Sequence, residues 1–350
     1  MTPQTPARRP LAALAAGSLA AYVVQRVLYM VPTLLLISVL VFLLIELPPG
    51  DYFESYVAEM LASGEKVDPR KIEFLRQEYG FDLPPQERYF KWLGGMLVGD
   101  FGYSFQHELP VSAVIGDRLW FTIAVTFATI VFTWLIAFPI GIYSATHQYS
   151  WGDHGLSTLG LLGLATPNFL FALVLMYLAN RWFGISIGGL YDPRYSELPM
   201  SWDKFVSILE HIWIPVVVIG TAGTAGMVRR LRANLLDELR KPYVVTARAK
   251  GMPETRALLK YPLRMSLNFF IADIGAILPQ VISGAEIVAI VMSLQTTGPV
   301  LIAALESQDM YLAGSFLMLL SVLTVIGVLI SDLALAVLDP RIRLAGGVSR

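Results

Sequence analysis

The chain has 350 residues, 55% of them hydrophobic and only 15% charged, which is too apolar for a soluble domain and places it in a lipid bilayer. A formal net charge of -1 leaves no basic excess to attract nucleic acid, and none is expected as a partner. With no cysteine, disulfides, thiolate metal sites and thiol nucleophiles are all excluded.

Arg8-Arg9-Pro10 and the small apolar run Leu11 to Val24 have the look of a secretory leader. Arg26 and a longer apolar run follow at once, so residues 1–26 are read instead as a cytoplasmic extension along the membrane surface. Set against the ~20 residues that cross a hydrocarbon core, six runs qualify as spans. They are Val27–Leu47, Leu119–Tyr143, Gly155–Arg181, Ile212–Val228, Ser266–Met292 and Ala313–Leu338. The chain thus divides into the extension 1–26, a first span 27–47, a loop 48–118, a five-span core 119–338 containing a polar loop at 229–265, and a tail 339–350.

An even number of spans puts both termini on one side. Of the 26 Lys and Arg, three precede the first span, ten lie in Arg229 to Arg264 and three follow Leu338. Between Asp51 and Asp117 there are twelve acids against six bases. The positive-inside rule then assigns both termini and the Arg229–Arg264 loop to the cytoplasm, in the inner membrane of the cell.

The long outer loop has its own pattern. Pro69 to Tyr79, ended by Gly80, and Arg88 to Leu97, carrying Tyr89, Phe90, Trp92 and Leu93, both read as amphipathic helices. The glycines of Gly99-Asp100-Phe101-Gly102-Tyr103-Ser104 are not followed by Lys-Ser or Lys-Thr, so a phosphate loop is not indicated and the segment reads as a cap packed on the outer ends of the spans. His147 and His154 are seven apart, outside the usual ligand spacings, and no metal site is expected.

Span three is interrupted at Ala165-Thr166-Pro167-Asn168-Phe169, where a proline frees a backbone carbonyl. Such a break either lines a path through the membrane or serves as a packing kink. Trp182, Trp202 and Trp213 suit an interfacial belt. The small residues of Gly220-Thr-Ala-Gly-Thr-Ala-Gly226 allow close helix contact, in the chain or with a partner subunit. Span five holds Asp273, Ser283 and Glu286; a carboxylate there costs about 2.5 to 3.5 kcal/mol to insert and must face protein or water.

The most polar stretch is Pro242 to Pro262. At about 100° per residue, Tyr243, Val244, Ala247 and Gly251 share one helical face, Lys241 and Arg248 flank it on one side and Thr246 and Lys250 on the other. Gly251 suits a helix C-terminus and Pro253 the first turn of another helix, which predicts two short helices joined by a sharp bend.

Tyr243-Val244-Val245-Thr246-Ala247-Arg248-Ala249-Lys250-Gly251 resembles the coupling loop of binding-protein-dependent ABC transporter permeases, in the branch of dipeptide and oligopeptide importers. That family carries a Glu-Ala-Ala triplet ahead of a glycine; Val245-Thr246-Ala247 stands in the triplet's place here. Gly99-Asp100-Phe101-Gly102-Tyr103-Ser104 is similar to the family's Gly-Asp-Leu-Gly-x-Ser, and Pro167, Phe169 and Asp332 match further family positions. The family's Glu in span five falls where this chain has Ala289; Glu286 lies three residues earlier, near the same helix face.

The resemblance covers about Tyr22 to Leu344. It implies an all-α membrane protein of the type I ABC importer permease kind, with residues 243–251, Leu258 and Leu259 meeting a separate ATPase. It also implies a path drawn from Pro167, Asn168, Phe169, Asp273, Ser283 and Glu286, and no catalytic residue on this chain. ATP and Mg would bind two partner ATPases, beside a second, homologous permease and a periplasmic solute-binding protein. No nucleotide-binding Gly-x-x-x-x-Gly-Lys-Ser/Thr is present, in keeping with a motor on another chain. The cargo expected is an oligopeptide, with an oligosaccharide as the alternative. A more distant alternative is a proton-coupled transporter using Asp273, Glu286 or Asp332, although no inverted repeat with paired broken helices is evident.

Overall fold

The structure, a computed structural model, describes residues 19–47, 57, 70, 73–74, 76–77, 80, 82–184, 188–196, 198–268, 270–271 and 286–338, the Leu19 and Asp117 side chains apart. The expected helix at Pro69–Tyr79, the body of the fifth span with Asp273 and Ser283, and the tail 339–350 lie largely or wholly outside the described residues.

Helix α1 (Leu19–Glu46) starts well before the expected Val27, because the apolar pattern around Tyr22 and Val24 continues the same helix past Arg26. Leu28, Leu36 and Leu44 stay exposed along it, as suits a surface that meets lipid. Its Val41 and Phe42 are buried with Trp92 of α2 (Pro85–Leu97) and with Met310 and Met318 of the last helix. Helix α2 is thus the amphipathic helix that the sequence predicts, docked on α1 and α11. Only one side of it docks, since Phe90 and Leu97 remain exposed.

A short hairpin, β1 (Tyr103–Ser104) against β2 (Leu109–Pro110), pairs Tyr103 with Pro110 and Ser104 with Leu109. Helix α3 (Val111–Thr146) follows directly and extends span two well past both of its expected ends. The expected third span is not one helix. Helix α4 (Trp151–Ala165) and helix α5 (Asn168–Phe183) meet at 101° across Thr166-Pro167, both in extended conformation. Pro167 has no N–H to continue α4 and biases Thr166 away from the helical region, so the interruption is a corner rather than a kink.

Helix α6 (Trp202–Leu239) is 38 residues long, about 57 Å at 1.5 Å per residue, and absorbs both flanks of the expected Ile212–Val228 span. Two short helices follow, α7 (Pro242–Ala249) and α8 (Glu254–Lys260). Residues 262–268 and 270–271 are helical, and α9 (Glu286–Val291), α10 (Thr297–Glu306) and α11 (Met310–Leu338) complete the described chain. Among the described residues, four helices are long and apolar enough to cross a membrane, five if α4 and α5 count as one span.

The axis of the bundle is the α3–α6 pair. A Cβ placed on Gly220 would lie 2.5 Å from Phe132 Cδ1, and one on Gly141 would lie 2.7 Å from Leu231 Cδ2. The two helices therefore run parallel and touch where glycine permits, and Gly220 of the small-residue stretch packs on Phe132 within this chain. Helix α4 returns antiparallel to α6, with Gly163 on Thr221 and Gly160 on Ala225. Helices α1 and α11 are antiparallel, with Gly314 against Ile45 at one end and Arg26 Nε 3.2 Å from Asp332 Oδ2 at the other. Because α3 and α11 start side by side in one core cluster (Val111, Val114, Leu312, Phe316), Leu19 and Leu338 fall at the same end of the bundle as α7.

At the opposite end the buried Asp309, between α10 and α11, gathers the Gly-Asp-Phe-Gly-Tyr-Ser segment. Its Oδ2 accepts the Ser104 hydroxyl at 2.8 Å and the Gln106 N–H at 3.2 Å, and its Oδ1 accepts the Leu312 N–H at 3.2 Å. Burial raises the Asp309 carboxyl above its ordinary range, while these bonds pull it back down. Gly102, at φ +79°, lies flat against the Tyr311 ring, where no side chain fits.

Candidate functional site

The α7–α8 knob follows from local chemistry. Lys241, in extended conformation, and Pro242 at the first position start α7. Its end is a Schellman turn: Met252 N–H reaches Ala247 O at 3.2 Å and Gly251 N–H reaches Arg248 O at 2.9 Å, with Gly251 at φ +78°. Pro253, extended, is the N-cap of α8 rather than the expected residue of its first turn. The bend is bridged by Arg248 and Glu254, 3.8 Å apart.

Burial divides the predicted face in two. Val244 and Ala247 are buried and seat α7, joined by Ala257 of α8, while Leu258 is half-buried. Val245 and Leu259 are 58% and 62% exposed, alongside exposed Thr246, Arg248, Ala249, Lys250 and Gly251. Tyr243 turns back to α6: its hydroxyl donates to Glu238, and its ring lies 6.2 Å from that of Tyr261. Burial and the Glu238 carboxylate raise the Tyr243 phenol, so it holds its proton and remains a donor. The knob therefore presents two apolar side chains within a basic rim.

Ten residues before α7, Arg232 forms a bidentate pair with Asp153 at the base of α4, Nε–Oδ1 at 3.1 Å and the terminal nitrogen to Oδ2 at 2.8 Å. Asp153 is buried, and its Oδ2 also accepts the Tyr149 N–H at 3.0 Å. Ser150 caps α4 by accepting the Asp153 N–H at 3.1 Å. Sequence reading passed over both charges, although Ser150 three residues before Asp153 is a helix-start signal.

Among the described residues, the predicted path residues Pro167, Asn168 and Phe169 lie apart from Glu286. Pro167 and Phe169 are exposed at the α4–α5 corner and Asn168 is half-buried there. Glu286 lies elsewhere, in a cavity of about 20 Å³ with Thr122, Thr126, Thr296, Thr297 and Gly298, room for about one water molecule. Thr122 Oγ1 accepts the Thr297 N–H at 2.9 Å, locking α3 to the start of α10. Glu286 thus faces protein, as an intramembrane carboxylate must. Asp332 is engaged by Arg26 rather than standing free for a proton.

The end of the bundle opposite α7 carries a cleft of about 720 Å³ lined by Trp202, Trp213, Tyr195, Asp203 and Glu210, among others. At its edge Asp192 is clamped by Arg194, with two contacts of 3.0 Å, which holds its carboxyl down at about 2.

Residues 137–344 match the family described as the binding-protein-dependent transport system inner membrane component, and residues 19–126 match the N-terminal region of such membrane components. The chain belongs to this family. It is 33% identical over 325 residues to the oligopeptide transport system permease protein AppB of Bacillus subtilis, covering 93% of this chain and 99% of that one. Two other permeases of the family are the glutathione transport system permease protein GsiC of Escherichia coli K12, 29% identical over 92% of this chain and 98% of that one, and the peptidoglycan transport system permease protein YejB of Agrobacterium fabrum, 27% identical over the same shares. In fold the chain is similar to the inward-facing MetNI methionine ABC transporter, with a TM-score of 0.51 at 14% identity over 66% of this chain and 98% of that one. The protein is therefore a membrane-embedded permease subunit of the type I ABC importer fold. It is a transport component and not an enzyme, and its family works with ATPase and binding-protein partners.

Proposed function

We propose that this permease is one of two homologous membrane subunits of an ATP-driven importer of oligopeptides, and that α7–α8 is where an ATPase subunit docks. The observation that carries it is mechanical. Helix α6 runs unbroken from the aromatic cleft at one end of the bundle to the exposed basic knob at the other. A push on Val245 and Leu259 acts on a rod of about 57 Å, tied to α4 by Asp153–Arg232 and packed on α3 along its length. ATP and Mg stay on the two ATPases, and closure of the ATPase pair rocks the knob.

The basic knob and both described chain ends lie on the cytoplasmic side of the inner membrane, in keeping with the positive-inside count. The aromatic cleft then faces the side from which a solute-binding protein delivers cargo. The relatives' names speak of oligopeptide, glutathione and peptidoglycan transport, which favours a peptide-containing solute over an oligosaccharide. The Arg26–Asp332 pair weighs against a proton relay through Asp332.

The test is uptake by proteoliposomes holding this chain, its companion permease and the ATPases, with the cognate binding protein outside. Labelled oligopeptide should accumulate only with ATP inside and binding protein present. Accumulation on a proton gradient without the ATPases would overturn the assignment, and a binding protein that retains oligosaccharide but no peptide would overturn the cargo.

A further inference from the structure

Between α3, α4 and α6 lies a second cleft of about 470 Å³ that the transport reading does not use. Its body is apolar, lined by Phe132, Ile136, Ile140, Leu156, Gly160 and Ala225. At the α7 end of the bundle its lining becomes cationic through Arg229 and Arg232, three residues apart on one face of α6, with the ring of His154 on α4 beside them. The one acid in the lining, Asp153, is spent on Arg232 and the Tyr149 N–H. That leaves the positive charge of Arg229, which is exposed and has no ion pair or hydrogen bond among the described residues. Tyr149, 72% exposed, lines this end of the cleft, and Trp151, 94% exposed, is two residues further along the chain. Exposed aromatic rings next to a basic residue mark the level of the lipid headgroups.

We propose that this cleft binds one anionic phospholipid, with the phosphate on Arg229 and the His154 ring and an acyl chain in the slot between α3, α4 and α6. Three features agree on that occupant. An apolar slot open to the membrane suits an acyl chain, since Ile136, Leu159 and Leu161 are exposed along it. A surplus cation at the mouth suits a phosphate, because guanidinium pairs with it through two parallel hydrogen bonds. Basic pockets between transmembrane helices are a recurring form of anionic headgroup site. The lipid would brace α4 against α6 beside the Asp153–Arg232 pair, at the foot of the lever that ends in α7. The site depends on the chain's place in the membrane and not on how the ATPase docks, so either assignment can fail alone.

The experiment is lipid retention by the full chain in its assembled transporter, purified from nanodiscs of mixed phosphatidylglycerol and phosphatidylcholine and read by native mass spectrometry. One phosphatidylglycerol per permease should be retained in preference to phosphatidylcholine. Arg229→Gln, at an exposed side chain whose loss breaks no internal contact, should lower that retention about ten-fold, the effect of losing one charge-assisted bond. Ser157→Phe, which places a ring in the slot, should exclude both lipids. Equal retention of the two lipids, or retention unchanged by both variants, would overturn the site. So would cysteine cross-linking of Ser157→Cys to a second permease subunit, which would make the cleft a protein interface.

Discussion

At the residue scale the structure turns on a few positions whose backbone angle, burial or charge limits what can replace them. Gly251 has open space around it, so a side chain there is opposed only by its φ of +78°. Gly251→Val should therefore unseat the end of α7 at a cost of about 1–2 kcal/mol or more, while Gly251→Asn, which tolerates the left-handed region, should be near neutral. Co-purification of the ATPase on tagged permease should fall for the first variant and persist for the second. Ala247→Glu should have the stronger effect, because Ala247 is 7% exposed and a carboxylate cannot be placed beneath α7 without lifting it. Membrane insertion should be intact in each, as judged by the amount recovered in detergent extracts.

Asp153→Asn leaves Arg232 partly buried without its counter-charge, a loss of about 3–5 kcal/mol for fully buried pairs and less here because a quarter of the Arg232 side chain is exposed. A clear fall in thermal unfolding temperature is expected. Replacing Asp153 and Arg232 together by apolar residues should recover most of it, since no lone charge then remains. A double variant as unstable as the single one would show that the pair is not the source of the effect.

At the element scale the decisive contact is α3 on α6. Gly220→Leu must displace the Phe132 ring, and overpacking of this kind costs about 1–3 kcal/mol. Gly226→Ala meets nothing within 4 Å and should be silent or slightly stabilising through helix propensity. Thermal stability in one detergent distinguishes the two. The same scale shows what was legible in the sequence. The paired short helices at α7–α8 were, because proline, glycine and a 3.6-residue pattern act locally. Helix α2 itself was legible from its amphipathic, aromatic pattern.

The 101° corner at Thr166–Pro167 was seen only as an interruption, since sequence marks where a helix breaks but not where the next one points. Long helices also ran past their apolar windows: α6 continues through Arg229, Arg230 and Arg232 because a helix leaving the membrane has no reason to stop at the first charge. Asp309 gave no local sign, as its Ser104 partner is 205 residues away. The path residues were the least legible, because Glu286 and the Pro167 corner share no local pattern and sit in different parts of the structure.

At the scale of the whole molecule, the described helices form a parallel α3–α6 pair, a bent return through α4 and α5, and an antiparallel α1–α11 pair, closed at one end by Asp309 and ending at the other in a two-helix knob. The parts with chemistry to offer a partner sit at the two ends: aromatic rings and acids around the Trp202 cleft, apolar tips in a basic rim at α7–α8. Such a layout suits transmission of force along the membrane normal better than transfer of protons across it.

The central claim, that the knob receives the ATPase, is tested most directly by a single thiol. The chain has no cysteine, so Val245→Cys, at a position 58% exposed on the knob, provides the only one. In intact cells a short bifunctional thiol cross-linker is expected to join it to the ATPase subunit, and the same thiol at Phe90, on the cap at the other end of the bundle, should give no such product. Cross-linking of the ATPase from Phe90→Cys and not from Val245→Cys would contradict the claim.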